Sequence, residues 1–275
     1  MIKDIVLPLL KGADADVAVD YAVSVAAAFE AHLAGVAFAY ETVPAAMLID
    51  DVPPDWIDDL RTEADNAAKA AVARFEEAAR RAGIAAESRR LDASFAGTGD
   101  LFGRIARRFD LSVVRQAEPD EQTPAGLIIT AALFDTGRPV LLVPYIQKSP
   151  LALDRAMVCW DGGRNAARAV GDALPFIARA KAVEVVVVGD RPKSDEMSGA
   201  DIAHHLARHG LPVTLKRIVA PEADVAGVLL SHAADVAATF MIMGGYGHSR
   251  LREFVLGGAT RGVLSQMTVP TLMSH

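Results

Sequence analysis

The sequence has almost no cysteine, few aromatic residues and no surplus of positive charge. A single cysteine, Cys159, in 275 residues excludes an intramolecular disulfide and a cysteine-based metal cluster. Lys and Arg number 28 against 35 Asp and Glu, which gives a net charge of −7. This balance argues against a nucleic acid partner, because phosphate backbones are bound by clustered basic side chains.

Long apolar runs are also missing. No run approaches the roughly 18 to 20 residues of a membrane-spanning helix. Residues 1–7 enter strand-like sequence directly, without the charged and apolar regions of a signal peptide. The hydrophobic share of 52% and the charged share of 23% are ordinary for a globular chain. We therefore expect a soluble, cytoplasmic protein with no membrane partner.

The most distinctive pattern is a set of glycines near the end of the chain. An apolar run, residues 239–243, stops at Gly244, Gly247 follows, and Gly257 and Gly258 open a segment with helical spacing. This order predicts a strand, a glycine-rich turn and a helix N-terminus. Glycine allows the backbone to approach a ligand closely, and the unpaired amides and dipole of a helix N-terminus favour an anion. The stretch therefore predicts a nucleotide-phosphate site.

The chain also repeats itself, with a division near residue 149. The opening strand of the first half, 3–10, matches 154–161, and in each half an Ala-rich helix and a second strand follow. Strands that alternate with helices predict βαβ units, a parallel sheet and right-handed crossovers. We predict an α/β protein of two tandem doubly wound parallel-sheet domains, residues 1–148 and 149–275.

These features resemble the universal stress protein family. The ATP-binding members of that family carry the motif G-x2-G-x9-G-[S/T] after their fourth strand, and Gly244, Gly247 and Gly257 match its spacing. Gly258 departs from the motif, since ATP binders usually carry Ser or Thr there. The resemblance covers essentially the whole chain as a tandem pair and implies the adenine nucleotide α-hydrolase-like fold in each half.

The resemblance also implies an adenine nucleotide, ATP or a relative, in the C-terminal half, with the need for magnesium left open. Asp161 ends the opening strand of this half and is suited to accept hydrogen bonds from adenine or ribose. The alternative for Asp161 is to be the N-cap of the helix that begins near Arg164. The implied contact residues are Asp161, Val188, Met243, Gly244, Gly247, His248, Gly257, Gly258, Ala259 and Thr260.

The first half lacks the residues that are implied to contact the nucleotide. Its opening strand ends in Leu9 and Leu10, with no acidic residue, and acidic side chains follow Val114 where a phosphate needs glycine amides. We expect a degenerate copy with a structural or interaction role. In the resembled family the last strand commonly lies at the sheet edge, and exposed edges tend to pair. The two halves are therefore expected to dock through 140–143 and 271–273 as an intramolecular pseudo-dimer, with a further homodimer as an option.

Three functional interpretations stay open. The first is a stress-response protein in which nucleotide binding is a regulatory or assembly switch. Since no nucleophile–base–acid set is present, no catalytic residue is predicted, and enzymatic activity beyond slow ATP hydrolysis is not expected. No pair of histidines with His-x3-His spacing comes with the carboxylate of a zinc protease, and no metal ligand is predicted. The second is a nucleotide-free dimerisation module, which the glycine at 258 favours. The third is an enzyme of the adenine nucleotide α-hydrolase-like superfamily, because residues 161–165 faintly resemble its pyrophosphate loop. A further pair of glycines, Gly97 and Gly99, is interpreted as a flexible turn.

Overall fold

The structure is a computed structural model that describes residues 1–10, 17–40, 54–118, 123–189, 199–220, 225–245 and 258–275. Strands and helices alternate within these ranges. The strands are β1 (Asp4–Leu9), β2 (His32–Ala39), β3 (Ala86–Asp92), β4 (Leu111–Arg115), β5 (Val140–Val143), β6 (Arg155–Cys159), β7 (Ala182–Val188), β8 (Val213–Ile218), β9 (Phe240–Gly244) and β10 (Thr271–Ser274). The helices are α1 (Val17–Phe29), α2 (Pro54–Ala82), α3 (Thr98–Ala106), α4 (Ala125–Phe134), α5 (Arg164–Ile177), α6 (Gly199–Arg208), α7 (Val225–Asp235) and α8 (Gly258–Gln266).

All of these strands join one ten-stranded sheet in the order β3-β2-β1-β4-β5-β10-β9-β6-β7-β8. Neighbours within each half are parallel, whereas β5 and β10 are antiparallel. Each half has the doubly wound order, in which the chain moves outward from the first strand, then returns to build the other side. The predicted fold class is confirmed.

The helices cover both faces of the sheet, which produces three layers. On one face, side chains from α1, α2, α5 and α6 form a core with the strands, including Phe75 and Phe176. On the other face, α3, α4, α7 and α8 form a second core, including Phe102 and Val263. Because the central strands are buried on both faces, their sequences are nearly continuous apolar runs instead of alternating ones. This burial explains why the strands stand out in the sequence.

The two halves meet at the antiparallel pair of β5 and β10. Leu141 lies opposite Leu272, and Leu142 lies opposite Thr271. These strands are the ones for which the sequence predicts an intramolecular contact, so the pseudo-dimer arrangement is confirmed. The predicted domain boundary, between residues 148 and 149, falls in the segment between β5 and β6 and remains a prediction.

The interpretation of Gly97 and Gly99 as a flexible turn is wrong for Gly99. Gly97 is the N-cap of α3, and Gly99 lies in the first turn of that helix. A Cβ added at Gly99 would lie 2.7 Å from the carbonyl oxygen of Leu127 in α4. The glycine therefore permits a close approach of two helices, which a local pattern cannot reveal. Across the described ranges, no helix combines the length and the apolar character that crossing a membrane requires.

Candidate functional site

The strand order reverses between β1 and β4 in the first half and between β6 and β9 in the second. In open parallel sheets, ligands bind outside the carboxyl ends of the strands at such a reversal. Cys159 of β6 lies opposite Met243 of β9, so the residues that follow both strands emerge at the same end. Asp161 follows β6 there, and Gly245 follows β9.

Asp161 orders the turn that leads into α5. Its side chain is exposed, and its Oδ1 accepts a hydrogen bond from the backbone N–H of Gly163 at 2.8 Å. Gly162 between them has φ +77°, a left-handed conformation that favours glycine. The N-cap of α5 is Gly163, and no side chain caps that end. The alternative of Asp161 as the N-cap is therefore wrong, because its carboxylate binds the N–H of Gly163, which is itself the N-cap residue.

The charge of Asp161 reaches the end of β6. Burial, followed by the negative charge of Asp161, raises the pKa of the Cys159 thiol to about 12. The thiol is therefore protonated and unreactive at neutral pH.

Gly244 ends β9 against the first turn of α5. A Cβ added at Gly244 would lie 2.5 Å from the backbone nitrogen of Ala166 and 2.7 Å from the carbonyl carbon of Asn165. No side chain fits in this contact without movement of the backbone. The first glycine of the motif thus has a packing reason that is independent of any ligand.

Asn165 is a residue of this region that the sequence did not single out. It is buried, and its Nδ2 donates to the carbonyl oxygen of Gly245 at 2.6 Å. The same nitrogen lies 2.9 Å from Nδ1 of His275, which in turn lies 3.0 Å from the Gly245 oxygen. These contacts close the gap between α5 and the ends of β9 and β10. The available signal was a polar residue in the first turn of an otherwise apolar-faced helix.

Helix α8 presents the predicted phosphate-binding segment. Gly258 is exposed, and no described atom lies within 4 Å of a Cβ added there. Ala259 is half-buried and Thr260 is buried, so the first turn passes from solvent into the core. A Cβ added at Gly262 would lie 2.5 Å from Cβ of Ala226, which shows how closely α8 packs on α7.

The remaining predicted contact residues fall into two groups. Val188 is the half-buried last residue of β7, and Met243 is buried in β9. Gly247, His248 and Gly257 lie outside the described residues. The ligand roles of all ten predicted residues remain predictions.

The second half therefore combines two complementary features at one end of its sheet. An exposed carboxylate, Asp161, follows β6, and the N-terminus of α8, at the exposed Gly258, follows β9. A carboxylate accepts hydrogen bonds from hydroxyl or amino groups, whereas free amides at a helix N-terminus favour an anion. Within the described ranges, no three His, Cys, Asp or Glu side chains lie close enough together to hold a metal ion.

In the first half, larger side chains occupy the corresponding positions. Counting from the paired residues of the central strands places Leu10 at the position of Asp161, and Leu10 is buried. Gln116 N–H donates to the Val143 carbonyl at 2.8 Å, just as Gly245 N–H donates to the Ser274 carbonyl at 2.8 Å. Gln116 therefore takes the place of Gly245, and its side chain is buried.

Arg115, the residue before Gln116, takes the place of Gly244. It is 7% exposed, and its guanidinium forms an ion pair with Glu118. A charged pair and a buried amide thus occupy positions at which the second half has glycines.

Solved structures share this fold over nearly the whole chain. A universal stress protein from Archaeoglobus fulgidus DSM 4304 matches 98% of this chain and 96% of its own, with a TM-score of 0.71 and 14% identity. A candidate universal stress protein from Pseudomonas aeruginosa UCBPP-PA14 matches 99% of this chain and 93% of its own, with a TM-score of 0.64 and 17% identity. A functionally unknown protein from Pseudomonas aeruginosa PAO1 matches 99% and 92%, with a TM-score of 0.61 and 14% identity.

The chain therefore has the fold of a universal stress protein, with two such domains in tandem, and the resemblance drawn from the glycine motif is confirmed at the level of the fold. No protein-family model matches the sequence. No curated protein matches it either.

Proposed function

We propose that this protein binds an adenine nucleotide, ATP or a relative, at the carboxyl ends of β6 and β9. Asp161 would accept hydrogen bonds from the nucleoside, and the N-terminus of α8 would hold the phosphates. Val188, Met243 and Gly244 would contact the adenine and ribose. Gly247, His248 and Gly257, with the first turn of α8, complete the proposed set.

One observation carries this proposal. Where its strand order reverses, the second half has small residues and one exposed carboxylate. The first half has Leu10, Arg115 and Gln116 at the same positions. Both halves keep the same strand order, so the strand order by itself does not require this difference in side chains. Small residues beside a helix N-terminus are what close approach of a phosphate needs.

The role of the nucleotide is proposed to be regulatory, in a cytoplasmic stress-response protein. No nucleophile–base–acid set stands out in the sequence, so binding is favoured over turnover. The site lies one strand from the junction of β10 with β5, and a bound nucleotide therefore sits near a contact between the halves. A switch that acts on assembly fits this location, and a homodimer of the tandem chain is part of the proposal.

A nucleotide-free interaction module is the second candidate, and the packing of Gly244 favours it. Since that glycine is required by the approach of α5, its presence alone does not demand a ligand. Under this interpretation the end of the sheet in the second half keeps its glycines for packing and binds no nucleotide.

The test compares matched substitutions at the two helices that occupy the same place in the two halves. Gly258→Asp puts a carboxylate at the start of α8, and Gly126→Asp puts one at the start of α4. No described atom lies within 4 Å of an added Cβ at either glycine, and a carboxylate near a helix N-terminus does not disfavour the helix. Both variants should therefore fold.

Isothermal titration of the full-length protein with ATP, with and without magnesium, measures the outcome. We expect one saturable site per chain, an affinity at least about tenfold weaker in Gly258→Asp because like charges repel, and no change in Gly126→Asp. Two sites per chain would contradict the expectation that the first half binds no nucleotide. Absence of binding up to millimolar ATP, after removal of any co-purified nucleotide, would favour the nucleotide-free module.

A further inference from the structure

The C-terminal end of α8 is in contact with the other half of the molecule. Gln116, which follows β4, donates a hydrogen bond from Nε2 to the carbonyl oxygen of Leu264 at 2.9 Å. These residues are 148 positions apart in the chain. Leu264 belongs to the last turn of α8, which ends at Gln266. The last four carbonyls of a helix have no partner within it, so the Gln116 amide supplies one that α8 itself cannot.

Gln116 is held firmly enough to position what it binds. Its side chain is 1% exposed, and its Oε1 accepts a hydrogen bond from the backbone N–H of Tyr145 at 3.3 Å. Its own backbone N–H donates to Val143 in β5 at 2.8 Å. Both ends of the amide and the backbone are therefore anchored in the first half, beside the strand that forms the junction.

The equivalent contact, from the second half to α4 of the first half, lacks this hydrogen bond. Gly245, the counterpart of Gln116, approaches α4 of the first half, where an added Cβ would lie 2.9 Å from Cδ2 of Leu133. A glycine has no side chain with which to cap that helix. The first half therefore caps α8, the helix with the proposed phosphate contacts, whereas Gly245 of the second half cannot cap α4.

We propose that Gln116 is a positioning residue for the nucleotide site of the other half. The inference rests on the proposed function for its ligand, but the capping contact itself stands apart from it. The first half sets the position of α8, and through α8 the position of Gly258, Ala259 and Thr260 at its opposite end. Gln116 lies where the strand order of the first half reverses, and there it supports the proposed site of the second half.

The experiment uses the full-length chain with Gln116→Met, which keeps the length of the side chain and removes its amide. Gln147→Met is the matched control, because the Gln147 amide donates to the Ser149 carbonyl, in the segment between β5 and β6. Hydrogen exchange by mass spectrometry follows the amides of α8 and α4, and titration with ATP gives the affinity. We expect faster exchange in α8 alone and an ATP affinity about fivefold weaker in Gln116→Met, with both unchanged in Gln147→Met.

The outcomes separate this inference from the proposed function. Faster exchange in α8 with no ATP binding by the unsubstituted protein would support the cap and reject the nucleotide. Unchanged exchange in α8 would overturn the cap, whatever the affinity. Equal acceleration in α4 and α8 would show a general loss of stability and would also overturn it. If Gln116→Met does not fold, Gln116→Leu also removes the donor to Leu264 with a shorter apolar side chain, and the same pattern is expected.

Discussion

The two halves of this protein share one strand order but treat the ends of their central strands in opposite ways. The second half places Asp161 and Gly245 there, while the first half places Leu10 and Gln116 at the same positions. In the second half Asp161 is exposed and Gly245 is buried, whereas Leu10 and Gln116 of the first half are both buried. The doubly wound order therefore gives both halves the same location at the end of the sheet, and the residues that follow two strands make the two locations chemically different.

The same comparison divides the glycines by what they do. Gly244 and Gly262 are required by close contacts with α5 and α7, whereas Gly258 faces open space among the described residues. Only the last of these has no packing reason to be glycine. It is therefore the position where a change is expected to affect binding without affecting the fold.

The largest expected effect comes from filling the end of β9 as the first half fills the end of β4. Gly244→Val puts side-chain atoms into the backbone of α5, and overpacking of this kind lowers the free energy of unfolding by about 3 kcal/mol. Urea unfolding followed by circular dichroism measures it. Gly171→Ala is the control, since no described atom lies within 4 Å of an added Cβ there and Ala raises helix stability by about 1 kcal/mol. Equal stability of the two variants would mean that the contact at Gly244 is not tight.

An intermediate effect is expected from alkaline pH, and it belongs to the second half. Burial, followed by the charge of Asp161, raises the pKa of Cys159 from 9.0 to about 12, while the counterpart position in the first half is Pro8, which does not titrate. A folded-state pKa above the unfolded value gives stability that is complete below pH 9 and is lost as the pH rises toward 12. Between pH 8 and 10.5 the unsubstituted protein should lose about 2 kcal/mol more than Cys159→Val.

Urea unfolding of both proteins at the two pH values checks this expectation. Tyr21, whose pKa burial also raises, is present in both proteins, so its effect cancels in the difference. A parallel loss of stability in the two proteins would show that the thiol does not contribute in this range.

The smallest effect is expected on the face where the first helices of the two halves meet. Arg179 lies over the ring of Phe29 at 4.0 Å and donates to the carbonyl of Ala28. Loss of this exposed contact in Arg179→Ala should lower the free energy of unfolding by about 1 kcal/mol. Arg81→Ala, at the exposed end of α2, removes only a surface ion pair to Glu77 and should change it by less than about 0.5 kcal/mol. A larger loss in Arg81→Ala than in Arg179→Ala would contradict the role of Arg179 at the junction.

The strands and the pairing of the halves could be predicted because burial on both faces leaves apolar runs in the sequence. Residues 140–143 and 271–273 were expected to dock, and they pair in the sheet. The start of α5 at Arg164 was predicted as well, although its N-cap was not. Local patterns carry this information because neighbours in the chain form each element.

The contacts that shape the candidate site could not be predicted, because they join residues far apart in the chain. Asn165 reaches the carbonyl of Gly245, 80 positions away, and Gln116 reaches Leu264, 148 positions away. No spacing rule connects such pairs. The glycine motif did not distinguish Gly244, which packing requires, from Gly258, which no contact with a described residue requires.

The pair of Leu141 and Leu272 has a consequence for how such a protein can change over time. These two residues hold the same place in their halves, so an approximate twofold axis passes between them. In a homodimer of single domains, every substitution near such an axis appears twice and must be compatible with itself. Once both copies lie in one chain, each side can mutate alone. The covalent link also keeps the partner at a high local concentration, so a weaker contact is tolerated while the two sides diverge.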